Sequence, residues 1–187
     1  LFVALEVMDA WRAAASEQQA ALAAAVPLET RRMLRVVRPD LMHLTLRFMG
    51  EVDEGGVAPL QAALDGLAPF AVTIALDRAG TFGPAARTGV VWLGIGGEVR
   101  ALRGVAESVE RAIRLVGARP EDRPFTAHLT LARLARHATE QDRRAVAEAV
   151  HALDAPPPLP FATSELALVR SILEGPSPRY EVLSHHS

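Results

Sequence analysis

The tetrapeptide His43-Leu44-Thr45-Leu46 recurs almost half a chain length later as His128-Leu129-Thr130-Leu131. Each copy lies in a run with strand character, Leu41 to Phe48 and Phe125 to Leu131, with a helical segment before and after it. Side chains alternate across a strand, so His and Thr of each copy share one face and the two Leu share the other. The Leu faces suit burial, each fully buried Leu contributing about 1.5–3 kcal/mol. The polar faces suit a cleft. Two such strands related by pseudo-symmetry would point His43, Thr45, His128 and Thr130 at one space.

That set has a chemical logic. Imidazole titrates near pH ~6.5, so one His can act as base while its partner holds a proton. A base on one side and an acid on the other suit in-line displacement at phosphorus. The Thr hydroxyls can donate to phosphate oxygens, and Arg can supply positive charge without a metal. Arg47 follows His43 and Thr45 in phase and faces the cleft if the strand stays regular. Arg133 falls on the opposite face by strict alternation, so it needs a strand end or a bulge to reach the cleft.

Composition removes several other chemistries. The chain has no Cys, which excludes disulfides, thiolate–metal sites and a Cys nucleophile. All 20 basic residues are Arg, so Lys-adenylate and Schiff-base mechanisms are excluded too. A net charge of −2 argues against a broadly electropositive nucleic-acid coat. No apolar run approaches a membrane span, and Leu1 to Leu5 is too short for a signal peptide. A cytoplasmic protein with no membrane association is expected. Walker A, His-Glu-x-x-His and Gly-x-Gly-x-x-Gly patterns are missing, and Gly94-Ile95-Gly96-Gly97 is too short for a dinucleotide fingerprint.

The periodicities predict the order β-α-β-α-β-β-α-β-α-β-β. Strands are expected at Phe2–Glu6, Leu41–Phe48, Phe70–Asp77, Gly89–Ile95, Phe125–Leu131, Ser164–Leu173 and Tyr180–Leu183. Helices are expected from Asp9 as cap to Ala25, from Asp53 to Leu67, from Gly97 to Val116, and from Thr139 as cap to Leu153. Thr30 to Asp40 reads as an Arg-rich connector, and Ser184 to Ser187 is given no role. Recurring adjacent strands favour α+β with antiparallel sheets over a doubly wound parallel sheet.

These residues resemble the 2H phosphoesterase superfamily, named for two His-hydrophobic-Thr-hydrophobic motifs. The nearer resemblance is to its bacterial and archaeal branch, the RNA 2',3'-cyclic phosphodiesterases, formerly 2'-5' RNA ligases. It extends to Phe2–Leu5, to His43–Glu51, to Gly80–Gly83 with Val91–Leu93, and to Ala127–Arg133. It also takes in Leu168–Ser171 with Gly175 and Tyr180, so nearly the whole chain is covered. The resemblance implies one domain over residues 1–187: a bilobal, pseudo-symmetric, LigT-like α+β fold whose antiparallel sheets line a central cleft, one motif per lobe. It implies hydrolysis of an RNA-terminal 2',3'-cyclic phosphate to a 2'-phosphomonoester, with ATP-independent 2'-5' joining as a related reaction. The implied partner is RNA with a cyclic-phosphate end, such as a tRNA half, bound by a monomer with no metal and no cofactor. On this reading His43 and His128 are catalytic. His128 is taken as general base and His43 as general acid, an order that sequence alone leaves open. Thr45, Thr130 and Arg133 would hold the phosphate, with Arg47 and Phe48 as further substrate contacts.

Plainer roles stand beside these. Either His can be a core-edge residue bonded to a carbonyl, either Thr an ordinary strand former, and Arg133 a surface ion-pair partner. Arg31, Arg32, Arg35 and Arg38 either contact RNA phosphates or form a solvated connector. Phe48, Phe82, Trp92 and Tyr180 are candidates to stack a base, Trp92 being read first as core. Two families of alternative function remain open. One is a related phosphodiesterase acting on small cyclic nucleotides, ADP-ribose cyclic phosphate or 2'-5' oligonucleotides. The other is a non-catalytic RNA-end binder.

Overall fold

The structure, a computed structural model, describes residues 1–173 and 177–187. Gly175-Pro176, which reads as a turn between the strands expected at Ser164–Leu173 and Tyr180–Leu183, and the resemblance at Gly175 lie outside the described residues. Along the chain run β1 (Phe2–Glu6), α1 (Asp9–Ala25), α2 (Leu28–Arg31), β2 (Leu34–Val36) and β3 (His43–Phe48). Then come α3 (Glu54–Asp65), β4 (Val72–Thr81), β5 (Val90–Gly97), α4 (Val99–Leu115) and β6 (His128–Leu134). The chain closes with α5 (Glu140–Ala152), β7 (Phe161–Thr163), β8 (Leu166–Ile172) and β9 (Arg179–His186).

The strands form two antiparallel sheets, ordered β3-β1-β8-β9 and β2-β6-β5-β4-β7. The fold is therefore α+β, as the alternation of paired strands and helices predicts. Each sheet holds one copy of the repeat, and β3 and β6 contact each other where the sheets meet. The main core lies between the helices and one face of each sheet. Leu44, Leu46, Leu129 and Leu131 are all buried in it. Helix α4 shows why the sequence pattern works: Leu102, Val105, Ala106, Val109 and Ile113 fall on one stripe and are buried, while its Arg and Glu residues lie mostly on the other side. A smaller apolar cluster of Phe2, Ala4, Ala167 and Val169, with Tyr180 against it, covers the opposite face of the first sheet. That second cluster is the floor beneath His43. No helix among the described residues is long and apolar enough to cross a membrane.

Several local expectations change. Met8, not Asp9, occupies the cap position of α1, and Asp9 sits in the first turn paired with Arg12 at 2.7 Å. Thr139 does cap α5, in a reciprocal pair with Asp142. The Arg-rich connector contains α2 and β2, and β2 joins the second sheet beside β6. Strand β7, absent from the predicted order, forms the far edge of that sheet. Strand β9 runs on through Ser184 and His185 to His186, which are paired with β8. His186 is buried, with Nδ1 2.7 Å from Asp65 of α3 and Nε2 2.8 Å from Ser184 Oγ. The tail is thus a structural strand.

Candidate functional site

Each motif strand carries a β-bulge at the same position. In β3, Ala4 lies opposite Thr45 and Val3 opposite Arg47, so Leu46 is the extra residue. In β6, Trp92 lies opposite Thr130 and Val91 opposite Ala132, so Leu131 is extra. A bulge shifts the alternation by one and re-aims the side chains beyond it. After each bulge, the fifth residue beyond the His returns to the His/Thr face. In β6 that residue is the exposed Arg133, and in β3 it is Phe48, which is 57% exposed and lies opposite Phe2. The bulge that Arg133 required is therefore present. Gln19 of α1 supports it, donating through Nε2 to the carbonyls of Leu131 and Val37 at 2.8 Å each.

The same shift removes Arg47 from the cleft, which corrects the sequence expectation. Arg47 is 7% exposed and turns toward α4. Its Nε donates to Glu110 at 2.5 Å, its two other nitrogens to the carbonyls of Phe48 and Arg119, and Glu121 lies 3.6 Å away. With this ring of partners it anchors the segment after α4 and has no free face for a substrate.

The two histidines have matching environments. Nδ1 of His43 is 2.9 Å from the carbonyl of Leu41, and Nδ1 of His128 is 2.8 Å from that of Thr126. A carbonyl only accepts, so each Nδ1 carries the proton and each Nε2 is left for chemistry. Aromatic rings wall in both. Phe2 stacks on His43 at 4.5 Å between centroids, and Tyr180 meets it edge-on at 5.2 Å. Phe82 meets His128 edge-on at 4.9 Å, with Trp92 behind at 6.4 Å. Trp92 is thus half-buried on the cleft face rather than in the core. It lies against Gly80, where a Cβ would stand 2.3 Å from the indole, so only glycine leaves room for it.

Burial holds both imidazoles below their ordinary value of 6.5, with the backbone carbonyl bonds opposing. The charge of Arg133 lowers both further, and that of His128 also lowers His43. The two rings and the guanidinium therefore lie within electrostatic reach of one another. Burial raises the Tyr180 phenol, so it stays protonated near neutrality. Thr45 and Thr130 are half-buried on the same faces as their histidines.

The basic residues of the connector have separate roles in the structure. Arg32 pairs with Glu29 and Arg38 with Asp40, both on the surface. Arg35, in β2, lies directly opposite Arg133 in β6, so the two share a sheet face. Like charges in opposed positions are unfavourable unless an anion lies between them. No local pattern in the sequence singles out Arg35 among its neighbouring arginines, because its position depends on the pairing of β2 with β6. Among the described residues, the His, Asp and Glu side chains close enough to share a metal ion are Glu6, Glu165 and His185; all are exposed, and neither motif histidine is among them.

Two antiparallel sheets, each aiming a His-Leu-Thr-Leu strand at a shared cleft, define the architecture of a 2H-type phosphoesterase. The chain belongs to the 2'-5' RNA ligase superfamily, whose family model matches residues 9–173. It is 37% identical over 101 residues to the RNA 2',3'-cyclic phosphodiesterase of Aeropyrum pernix, a match covering 54% of this chain and 57% of the relative. The matched region thus spans little more than half the length of that relative. It is 30% identical over 152 residues to the Escherichia coli K12 enzyme of the same name, covering 80% and 77%. Its fold superposes on E. coli LigT complexed with 3'-AMP with a TM-score of 0.76 and 26% identity, covering 98% of this chain and 94% of the other.

Proposed function

We propose that this protein hydrolyses the 2',3'-cyclic phosphate at an RNA end to a 2'-phosphomonoester. The observation that carries the reading is the matched pair of tethered imidazoles, each presenting Nε2 from its own motif strand. Relatives bearing the name RNA 2',3'-cyclic phosphodiesterase support the substrate class.

His128 takes a proton from water as the water oxygen attacks phosphorus. The bond from phosphorus to the 3'-oxygen breaks, and His43 gives its proton to that oxygen. His43, stacked on Phe2 and edge-on to Tyr180, is held below its ordinary pKa by burial, so it becomes the acid only when a bound phosphate anion favours its charged form. Both pKa values lie low in the free protein, and a phosphate anion in the cleft raises them, loading the acid as substrate binds. Thr45 and Thr130 donate to the non-bridging oxygens. Arg133 and Arg35 supply the positive charge that offsets the transition state. The two sheets work as one domain of two lobes, and because one chain supplies both imidazoles, a monomer suffices. With a 5'-hydroxyl in place of water the same step gives 2'-5' joining with each histidine in the same role, and the two exchange roles when that linkage is cleaved back to the cyclic phosphate.

The test is product analysis on a short RNA bearing a 2',3'-cyclic phosphate, with and without chelator. The expected product is the 2'-phosphate in both conditions. His43→Ala and His128→Ala should each slow the reaction about 10²–10⁴-fold. Near wild-type rates in either variant would refute the mechanism, and loss in chelator restored by a divalent ion would refute its metal independence.

A further inference from the structure

A cavity of about 400 Å³ opens beside His128, lined by the preceding residues Thr126 and Ala127. It is built around Gly94, the residue of β5 directly opposite His128, whose missing side chain leaves the sheet bare at that point. Trp92 and Phe125 supply apolar walls, and Asp77, Arg78 and Arg103 supply charge. The Asp77-Arg78 pair is itself displaced by an irregularity in β4, between Leu76 opposite Ile95 and Ala79 opposite Leu93. That irregularity brings the Asp77 side chain over the glycines, its Cβ 3.5 Å from where a Cβ on Gly94 would be. Asp77 Oδ1 accepts from the Arg78 amide at 2.7 Å. Among the described residues none of these three charged groups has an ion-pair partner, although many other carboxylates of the chain attract an Arg. The volume suits a nucleoside, since ligand pockets run from ~300 Å³ upward.

The geometry points to this cavity as the subsite for the base next to the reacting phosphate, with guanine as the preferred base. The inference rests on the proposed phosphodiesterase reading and adds a specificity to it. Trp92 and Phe125 offer a flat heterocycle apolar surface to pack on. Asp77 is a pure acceptor, and guanine is the base that offers two adjacent N–H donors, N1–H and the 2-amino group, to one carboxylate. Arg103 is a pure donor and matches the O6 and N7 acceptors. Uracil and cytosine offer no such double donor next to an acceptor pair.

The experiment compares guanosine 2',3'-cyclic phosphate, uridine 2',3'-cyclic phosphate and the base-free methyl riboside 2',3'-cyclic phosphate. In parallel, 2'-GMP and 2'-UMP are titrated against tryptophan fluorescence, which needs no turnover. Wild type should favour guanosine over both other substrates by at least ~10-fold in kcat/KM and bind 2'-GMP the more tightly. Asp77→Asn, which turns an amide donor toward the donors of guanine, should abolish both preferences. It should leave turnover of the base-free substrate unchanged. Arg103→Gln should weaken 2'-GMP with the same sparing. Equal use of guanosine and base-free substrate by wild type, or an unchanged preference in Asp77→Asn, overturns the subsite while leaving the phosphodiesterase reading intact. Lack of turnover on all three overturns that reading, and the nucleotide titration then still decides the subsite.

Discussion

Replacing Arg47 by Met separates an anchor from a substrate contact. The side chain is 8% exposed and its carboxylate partner Glu110 only 25% exposed, so both charges are largely withdrawn from water. Met keeps the length and the apolar contact of the stem but leaves Glu110 without its cation and the carbonyls of Phe48 and Arg119 without a donor. Removing one partner of a fully buried pair costs about 3–5 kcal/mol. Residual solvent access at Glu110 brings the expected loss to about 2–3 kcal/mol. For a domain of this size that corresponds to a fall in Tm of roughly 4–12 °C. Denaturant unfolding with a fixed m-value gives the free energy, and steady-state assay well below the transition gives kcat/KM. The expected outcome is a clear loss of stability with kcat/KM within about threefold of wild type. A stable Arg47→Met protein that has lost two or more orders of magnitude in kcat/KM would return Arg47 to the cleft and refute the bulge argument.

Burial sets a pH signature at His43 and His128. Both fold with pKa values below 6.5, so beneath that pH the unfolded chain takes up protons before the native one. Stability is therefore full above about pH 6.5, declines as pH falls toward the native values, and levels off below them. Denaturation midpoints at about pH 7.5 and about pH 5 should show this decline in wild type and a smaller one in a His43→Gln/His128→Gln double variant. For the same reason the acidic limb of the kcat/KM profile should lie below the ordinary imidazole range. His186→Ala removes the buried partner of Asp65 and Ser184, and about 1–3 kcal/mol of stability should be lost with activity little changed, as denaturant titration would show. Arg133→Met removes the guanidinium from the His/Thr face of β6, so the weakened phosphate grip should appear as a raised KM and lost kcat together, as substrate kinetics would reveal.

The core of the site is legible in the sequence because it obeys a simple period. His and Thr two apart must share a strand face, and the Leu pairs must go under the helices. Arg47 departs from that period because a bulge depends on pairing with a neighbouring strand, which one strand's own pattern does not encode. The same event delivers Arg133 and Phe48 to the face where alternation alone would put Arg47. Strand β2 is hidden by its composition: Leu34-Arg35-Val36 is too short to announce itself among so many arginines, and its order comes from pairing with β6. The end of β9 is hidden for the opposite reason. Ser184, His185 and His186 carry no strand signal, yet pairing with β8 and the Asp65 side chain of α3 hold them in place. Local propensity is a sound guide where burial agrees with it and silent where tertiary contacts decide.

Each imidazole is tied to a carbonyl two residues upstream in its own chain segment, at Leu41 and at Thr126, and not to anything across the cleft. The orientation of either ring is therefore independent of the width of the gap between them. A substrate that widened or narrowed that gap would leave both reactive nitrogens presented as they are in the free protein.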